Sequence, residues 1–356
     1  DRKLTVVKNH GLFIINYSWK INGCLFLLEE FFMDFYGFYT GQEFEAYRFL
    51  GAHPAGSGTV FRTFAPSAAK ISVIGDFNGW QEQPMKKIYD GNFWELEIPE
   101  AQEGMRYKFR IYLAGGSFRD HCDPFGFSSE LRPRTASIIC RPGRYSFRDQ
   151  KWMNERTSSI DRPLNIYEIH FGSWKKKGGG ETDWYSYREL APLLIPYLKE
   201  NGYNFVELMP LAEHPSDASW GYQETGYFAP TSRYGKPEEL QEFVDLCHRN
   251  GIGVLLDFVP AHFAPDDYAL WNYDGTALFE YPAADVGVSQ WGSCNFMHSR
   301  GEVRSFLQSS ACYWLREYHF DGLRMDAVSN LVYWQGQPER GTCQPGIQFL
   351  QNMNSG

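Results

Sequence analysis

From Asn165 onward the chain alternates strand and helix, and no other feature narrows its fold as far. Strand-like runs at Asn165–Phe171, Asn204–Met209, Ile252–Val259 and Phe320–Asp326 are separated by helical patterns at Ser186–Lys199, Pro237–Asn250 and Glu302–Tyr318. A repeated strand–helix order builds a parallel sheet. Long loops follow the second and third runs, at about 210–236 and 260–301. Such loops at the carboxyl ends of parallel strands are where a β/α barrel builds its substrate cleft. Four units are present and a closed barrel needs eight, so residues 164–356 read as the first half of a TIM barrel in a chain cut after the fourth strand. Its last strand is then expected to form an unpaired edge, with self-association as the consequence.

The helical patterns differ in quality. Pro237–Asn250 has Pro in its first turn, Glu238 and Glu239 at its positive end and Gly251 just beyond it, each a favourable helix-end choice. Glu302–Tyr318 carries Val303, Phe306, Leu307, Ala311, Trp314, Leu315 and Tyr318 on one side. In Ser186–Lys199, Leu190, Leu193, Leu194, Tyr197 and Leu198 recur at helical spacing, but Pro192 and Pro196 are expected to weaken or break the helix.

Upstream the pattern is different. Thr59–Phe64, Lys70–Gly75, Phe93–Ile98 and Tyr107–Tyr112 are strand-like, with turn signals at Ala65-Pro66, Asn78-Gly79, Asp90-Gly91 and Gly115-Gly116. Short strands at this spacing predict an immunoglobulin-like β-sandwich over 36–147, followed by a linker at 148–163. Residues 1–32 hold apolar runs broken by Lys20 and Asn22, too interrupted for a transmembrane helix, and are read as a leader of uncertain origin.

A net charge of −9 argues against nucleic acid or an anionic membrane as partner. The aromatic share of 17% supplies both core and flat faces suited to sugar rings. Cys24, Cys122, Cys140, Cys247, Cys294, Cys312 and Cys343 are scattered and odd in number, which reads as reduced thiols in a cytoplasmic protein. His121/Cys122 and Cys294/His298 lack a second cluster to complete a metal site, so neither metal nor cofactor is expected.

The chemistry is expected at the strand ends. Strand side chains alternate faces, so in Phe320–Asn330 Arg324 and Asp326 share one face while Leu323 and Met325 take the other. In a barrel the apolar pair meets the helices, and Asp326 stands at the mouth. A guanidinium on the same face favours an ionised carboxylate, the form a nucleophile needs; an ordinary ion pair is the alternative. Asp257 lies near the end of the third strand and His262 follows in the loop behind it. Asp257 suits holding an arginine or a sugar hydroxyl, and His262 donating to a sugar oxygen; structural roles stay open for both. The aromatics of Trp220-Gly221-Tyr222-Gln223 and Tyr227-Phe228 offer a sugar platform or loop packing. Lys175–Gly180 lacks the residue order of a phosphate loop and reads as solvated.

From about Met33 to its end the chain resembles the 1,4-α-glucan (glycogen) branching enzymes of the α-amylase superfamily. Gly58–Pro66 and Ile74–Trp80 resemble the carbohydrate-binding sandwich ahead of their barrel. Tyr167–Trp174, Glu207–Pro215, Ser219–Gly235, Asp257–Phe263 and Gly322–Asn330 match their barrel motifs in order. The resemblance implies Asp326 as nucleophile, Arg324 orienting it, and Asp257, His262 and Tyr222 lining the subsite of the cleaved sugar, with Tyr222 stacked on its ring. It implies α-glucan as partner, glycogen biosynthesis as setting, and an acid/base Glu and a further Asp on later strands, outside this chain. Related hydrolases, trehalose-releasing or debranching, and a non-catalytic glucan-binding fragment are the competing expectations. Amylases of the superfamily commonly carry Asn where Ala261 stands, where it helps bind calcium; Ala261 therefore implies none.

Overall fold

A computed structural model describes residues 14–15, 33–157 and 163–355. The remainder of the expected leader, and five residues of the expected linker, lie outside the described residues. Strand β1 (Ile14–Ile15) comes first in the chain, followed by helix α1 (Phe35–Thr40). The next strands are β2 (Gly51–Ala55), β3 (Gly58–Phe64), β4 (Lys70–Gly75), β5 (Gln83–Pro84), β6 (Lys86–Ile88), β7 (Phe93–Ile98), β8 (Arg106–Tyr112), β9 (Phe118–His121) and β10 (Ser137–Ile138). They form two antiparallel sheets, ordered β2-β3-β7-β6 and β10-β8-β4-β5, with β9 also on β8. Alternation in the sequence becomes alternation in space: Phe61, Ile71, Val73, Tyr107, Phe109 and Ile111 are buried between the sheets, while Phe93 on the other face packs against Phe35 and Phe38. Trp80, at φ 64° and partly exposed, lies beside the Arg106 guanidinium on the outer surface.

Helix α2 (Gln150–Glu155) leads into the second unit: β11 (Ile166–Ile169), α3 (Tyr187–Glu200), β12 (Phe205–Leu208), β13 (Ala212–Glu213), β14 (Gly226–Pro230), α4 (Pro237–Arg249) and β15 (Gly253–Phe258). There follow β16 (His262–Phe263), α5 (Ala284–Gly287), β17 (Cys294–Asn295), α6 (Gly301–Glu317), β18 (Gly322–Met325), α7 (Val328–Val332) and α8 (Gln344–Ser355). β11, β12, β15 and β18 are parallel neighbours in chain order, as a barrel requires.

Two expectations are corrected. The edge at β18 is not bare: β1 pairs with it antiparallel, Ile14 opposite Arg324 and Ile15 opposite Leu323. An open edge offers unpaired N–H and C=O groups to any extended segment that reaches it, and here the chain's own start does. Nor do the two prolines break α3, which runs unbroken from Tyr187 to Glu200. Both prolines face solvent, where water can take the carbonyls they leave unbonded, while Leu190, Ala191, Leu194, Ile195 and Leu198 hold the helix on the core. Tyr197, expected on that face, is instead partly exposed and packs on Tyr167 and Trp174.

The two units share an extensive interface. Phe125 stacks on Phe228 and Phe127 on Tyr313, and the buried Thr63 hydroxyl meets the Tyr273 hydroxyl at 2.8 Å. The second face of α6, polar in sequence, is buried as well. Its Ser305 hydroxyl donates to Phe38 O, its Gln308 amide to Gly41 O, and its Ser309 hydroxyl accepts from Ala46 N. Gly301 allows this approach, since a Cβ there would sit 1.8 Å from Tyr39 O.

Below β15 and β18, at their amino ends, lies a closed ionic cluster. The His248 ring nitrogens stand 2.8 Å from Asp149 Oδ2 and 3.0 Å from Asp321 Oδ2. Two carboxylate acceptors require both nitrogens to donate, so the ring is an imidazolium. Asp321 also accepts from Trp152 Nε1, Arg156 and Val254 N, and Asp149 from His319 Nδ1.

Candidate active site

The opposite ends of the same strands carry the polar residues singled out in the sequence. Leu323 and Met325 are buried behind the sheet, and Arg324 and Asp326 turn forward into the mouth. Parallel register sets Asp257 beside Arg324. Arg324 Nη1 donates to both Asp257 oxygens, at 2.9 and 2.8 Å, and to Asp326 Oδ1 at 2.8 Å. One nitrogen thus ties the ends of β15 and β18 together. Asp326 N donates to Phe258 O at 2.9 Å, carrying the strand pairing one residue past β18. The chain then turns through Ala327 in the left-handed region, φ 50° and ψ 38°, before entering α7. A non-glycine residue there costs roughly 1–2 kcal/mol, and strain of this kind clusters where function demands a fixed geometry.

Tyr222 reaches the same centre from the loop between β13 and β14, its hydroxyl donating to Asp257 Oδ2 at 2.7 Å. The loop comes close because Gly221, φ 94°, presses on Pro210; a Cβ would lie 2.4 Å from Pro210 O. Burial pushes the Tyr222 phenol well above its ordinary value, reinforced by Asp257, so it stays a donor. Burial likewise pushes Asp257 up to about 7, while Arg324 and the Tyr222 hydroxyl pull it down. Arg324, despite partial burial, is held above its ordinary value by the two carboxylates and remains charged.

His262 stands behind this group on β16. Burial lowers it to about 4, against a smaller upward pull from Asp326, so the ring is neutral near pH 7. A neutral imidazole has one N–H to give. Its Nδ1 is buried with no hydrogen-bond partner, and its ring lies 4.9 Å from that of Trp291. The structure therefore joins Tyr222, Asp257, Arg324 and Asp326 in one hydrogen-bonded chain and sets His262 at its margin.

The platform aromatics divide. Tyr227 and Phe228 are core, Tyr222 is at the centre, and Trp220 is 57% exposed over the β11 side near His170. Sequence reasoning passes over two carboxyls here, Glu207 on β12 and Glu224 in the Tyr222 loop. Both are buried, and burial raises both. Glu207 had a signal: a carboxylate among Phe205, Val206 and Leu208 in a strand that is otherwise apolar. Glu224, with no such pattern around it, had none.

His121 Nδ1 bonds Ala269 O and His298 Nε2 bonds Pro260 O. Among the described residues no group of three or more His, Cys, Asp or Glu is arranged to hold a metal ion. No helix among them is long and apolar enough to cross a membrane.

Two family models match the chain: carbohydrate-binding module 48 (isoamylase N-terminal domain) over residues 49–126, and the alpha amylase catalytic domain over 194–276. A 1,4-alpha-glucan branching enzyme from Fusobacterium nucleatum is 45% identical over 326 residues, covering 90% of this chain and 52% of that protein. Another from Methylococcus capsulatus is 46% identical over 344 residues, covering 90% and 46%. Along 90% of its own length the chain is similar to these 1,4-alpha-glucan branching enzymes. It spans about half the length of the curated relatives it matches. The fold agrees. A crystal structure of a pullulanase from Paenibacillus barengoltzii, complexed with maltohexaose and alpha-cyclodextrin, superposes at TM-score 0.63 and 22% identity. That match covers 79% of this chain and 48% of the pullulanase. Arg324 and Asp326 lie beyond the matched catalytic segment.

Proposed function

We propose that the full-length protein cleaves an α-1,4 glucosidic bond and transfers the released chain to a glucan 6-hydroxyl, forming α-1,6 branches. The observation that carries this is the Arg324 bridge between Asp257 and Asp326 at the carboxyl ends of adjacent parallel strands, in a chain whose curated relatives are branching enzymes. In this reading Asp326 attacks the anomeric carbon and carries the glycosyl group as an ester. Arg324 aims the Asp326 oxygen and balances the charge of both carboxylates. Asp257 and His262 hold hydroxyls of the sugar being cut, and the Tyr222 ring lies against its face. Two displacements retain the α configuration; the second uses a sugar hydroxyl where a hydrolase uses water.

Retention also needs an acid/base carboxyl about 5 Å from the nucleophile. Asp257 is bound by Arg324 and Tyr222, and Glu224 is fully buried; we assign the role to no described residue. The division at 36–147, 148–163 and 164–356 is our reading of the two units. The sandwich is read as an accessory glucan contact, with partly exposed Trp80 its candidate. A cytoplasmic location is supported by six free cysteines among the described residues.

The test is incubation of the full-length protein with amylose, followed by enzymatic debranching. New 1,6 linkages without a gain in reducing ends are expected. Reducing ends that rise with no new branches would replace the transferase by a hydrolase.

A further inference from the structure

The long loop between β16 and β17 ends in an internally bonded turn. Ser289 N donates to Ser293 O at 2.8 Å, the Ser289 and Ser293 hydroxyls meet at 2.5 Å, and Trp291 N donates to Ser289 Oγ at 3.2 Å. Both serines are buried. Trp291, at the tip, is 46% exposed. A hydrophobic ring is thus held out into solvent by a backbone that is internally bonded.

The turn is fastened from two sides, and each fastening leads back to the reaction centre. Gln223, next to Tyr222, donates from Nε2 to Trp291 O at 3.3 Å. Gln335 lies beyond α7, with φ 56°. Its Nε2 donates to Asp285 O at 2.9 Å and Val288 O at 2.8 Å, and its Oε1 accepts from Asn295 Nδ2 at 3.2 Å. One amide therefore makes two bonds to the loop and one to β17, from the segment that continues out of Asp326. The Trp291 ring meets that of His262 at an angle of 41° and leaves its other surface open.

We propose that Trp291 is a stacking platform for a glucosyl ring neighbouring the one held by Tyr222 and His262, and that Gln335 is the positioning residue that fixes it. The proposal rests on the glucan-transfer reading of this site. An α-glucan presents apolar C–H faces at each ring, the complement of an exposed indole beside a hydrogen-bonding centre. Ordering the turn before binding removes an entropic cost that a mobile loop would bear. A platform one ring from the cut selects how a chain seats, so it acts on which chain lengths are transferred and leaves the bond chemistry alone.

The test uses Trp291→Ala, Trp291→Phe and Gln335→Ala in the full-length protein. Maltoheptaose binding is measured by calorimetry, kcat and KM on amylose by branch formation, and transferred chains by debranching. With aromatic stacking as the scale, Trp291→Ala should weaken maltoheptaose binding and raise KM by about five- to tenfold, change kcat less, and shift the chain-length profile. Trp291→Phe should restore most of the binding. Gln335→Ala should move KM and the profile in the same direction, with faster hydrogen exchange across 284–293. A Trp291→Ala protein with wild-type binding, KM and profile would overturn the proposal, as would a fall in kcat with KM unchanged. If the wild type forms no branches, the function above fails. The binding comparison between wild type, Trp291→Ala and Trp291→Phe still decides the platform.

Discussion

Strands β15 and β18 carry a buried charge cluster at each end, and the two are built to opposite rules. At the amino end Asp321 accepts four donors, from Trp152, Arg156, His248 and Val254, and the cluster is enclosed. At the carboxyl end Asp326 keeps part of its surface open, Arg324 is partly exposed, and the Nδ1 of His262 has no partner. Barrel chemistry sits at the carboxyl face, while the other face serves stability. The same side-chain types thus lock at one end and stay available at the other; what differs is their exposure, since Asp149 Oδ1 in the enclosed cluster also lacks a partner.

The sharpest way to break this contrast is to neutralise one carboxylate from each end. Asp326→Asn in the full-length protein should lower branching by on the order of 10⁴-fold or more, as loss of a nucleophile does, with little change in Tm and with glucan binding retained. Branching near the wild-type rate would remove Asp326 from its role. Asp321→Ala should do the reverse: activity per folded molecule is kept, and unfolding by urea shows a loss of about 3–5 kcal/mol, the scale for stranding a buried charge. An Asp321→Ala protein as stable as wild type would mean that the lower cluster is not a lock.

A smaller effect follows from pH. Burial alone would lower His248, but Asp149 and Asp321 outweigh it and raise it. Burial would raise both aspartates, and their hydrogen bonds to the histidines lower them instead. A raised imidazole contributes stability that is complete below its unfolded value of about 6.5 and is lost as pH climbs through its folded value. The lowered aspartates contribute above about pH 4, and that share is lost as pH falls further. Tm against pH should therefore plateau between these limits and decline on the alkaline side. His248→Gln should flatten that decline; parallel curves for the two proteins would count against the imidazolium. The smallest expected change is Arg156→Gln, which removes one donor 3.3 Å from Asp321 while three remain. It should cost about 1 kcal/mol, read from the same urea curves, and a loss as large as that of Asp321→Ala would show that the cluster depends on Arg156 and not on its carboxylate.

Much of this was legible in the chain. Strand alternation in Phe320–Asp326 put Arg324 and Asp326 on one face, and Asp257 and His262 followed from their place at the end of an apolar run. Such local periodicities survive folding because burial acts on each strand separately. The lower cluster was not legible. Asp149, His248 and Asp321 lie 99 and 73 residues apart in sequence, and each alone is an ordinary surface residue type.

By itself, then, the sequence determined the two kinds of sheet and the common face on which Arg324 and Asp326 stand. These depend on spacing between near neighbours, which no partner has to supply. Tertiary structure alone decided that α3 bears two prolines unbroken, because only packing shows that both face water. It decided that the serine face of α6 is interior, because a second unit covers it. It also decided that Glu224 is buried, that β1 closes an exposed edge, and that Trp291 is held beside His262. Each of these depends on how segments far apart in the chain pack or fail to pack, which spacing between near neighbours does not carry.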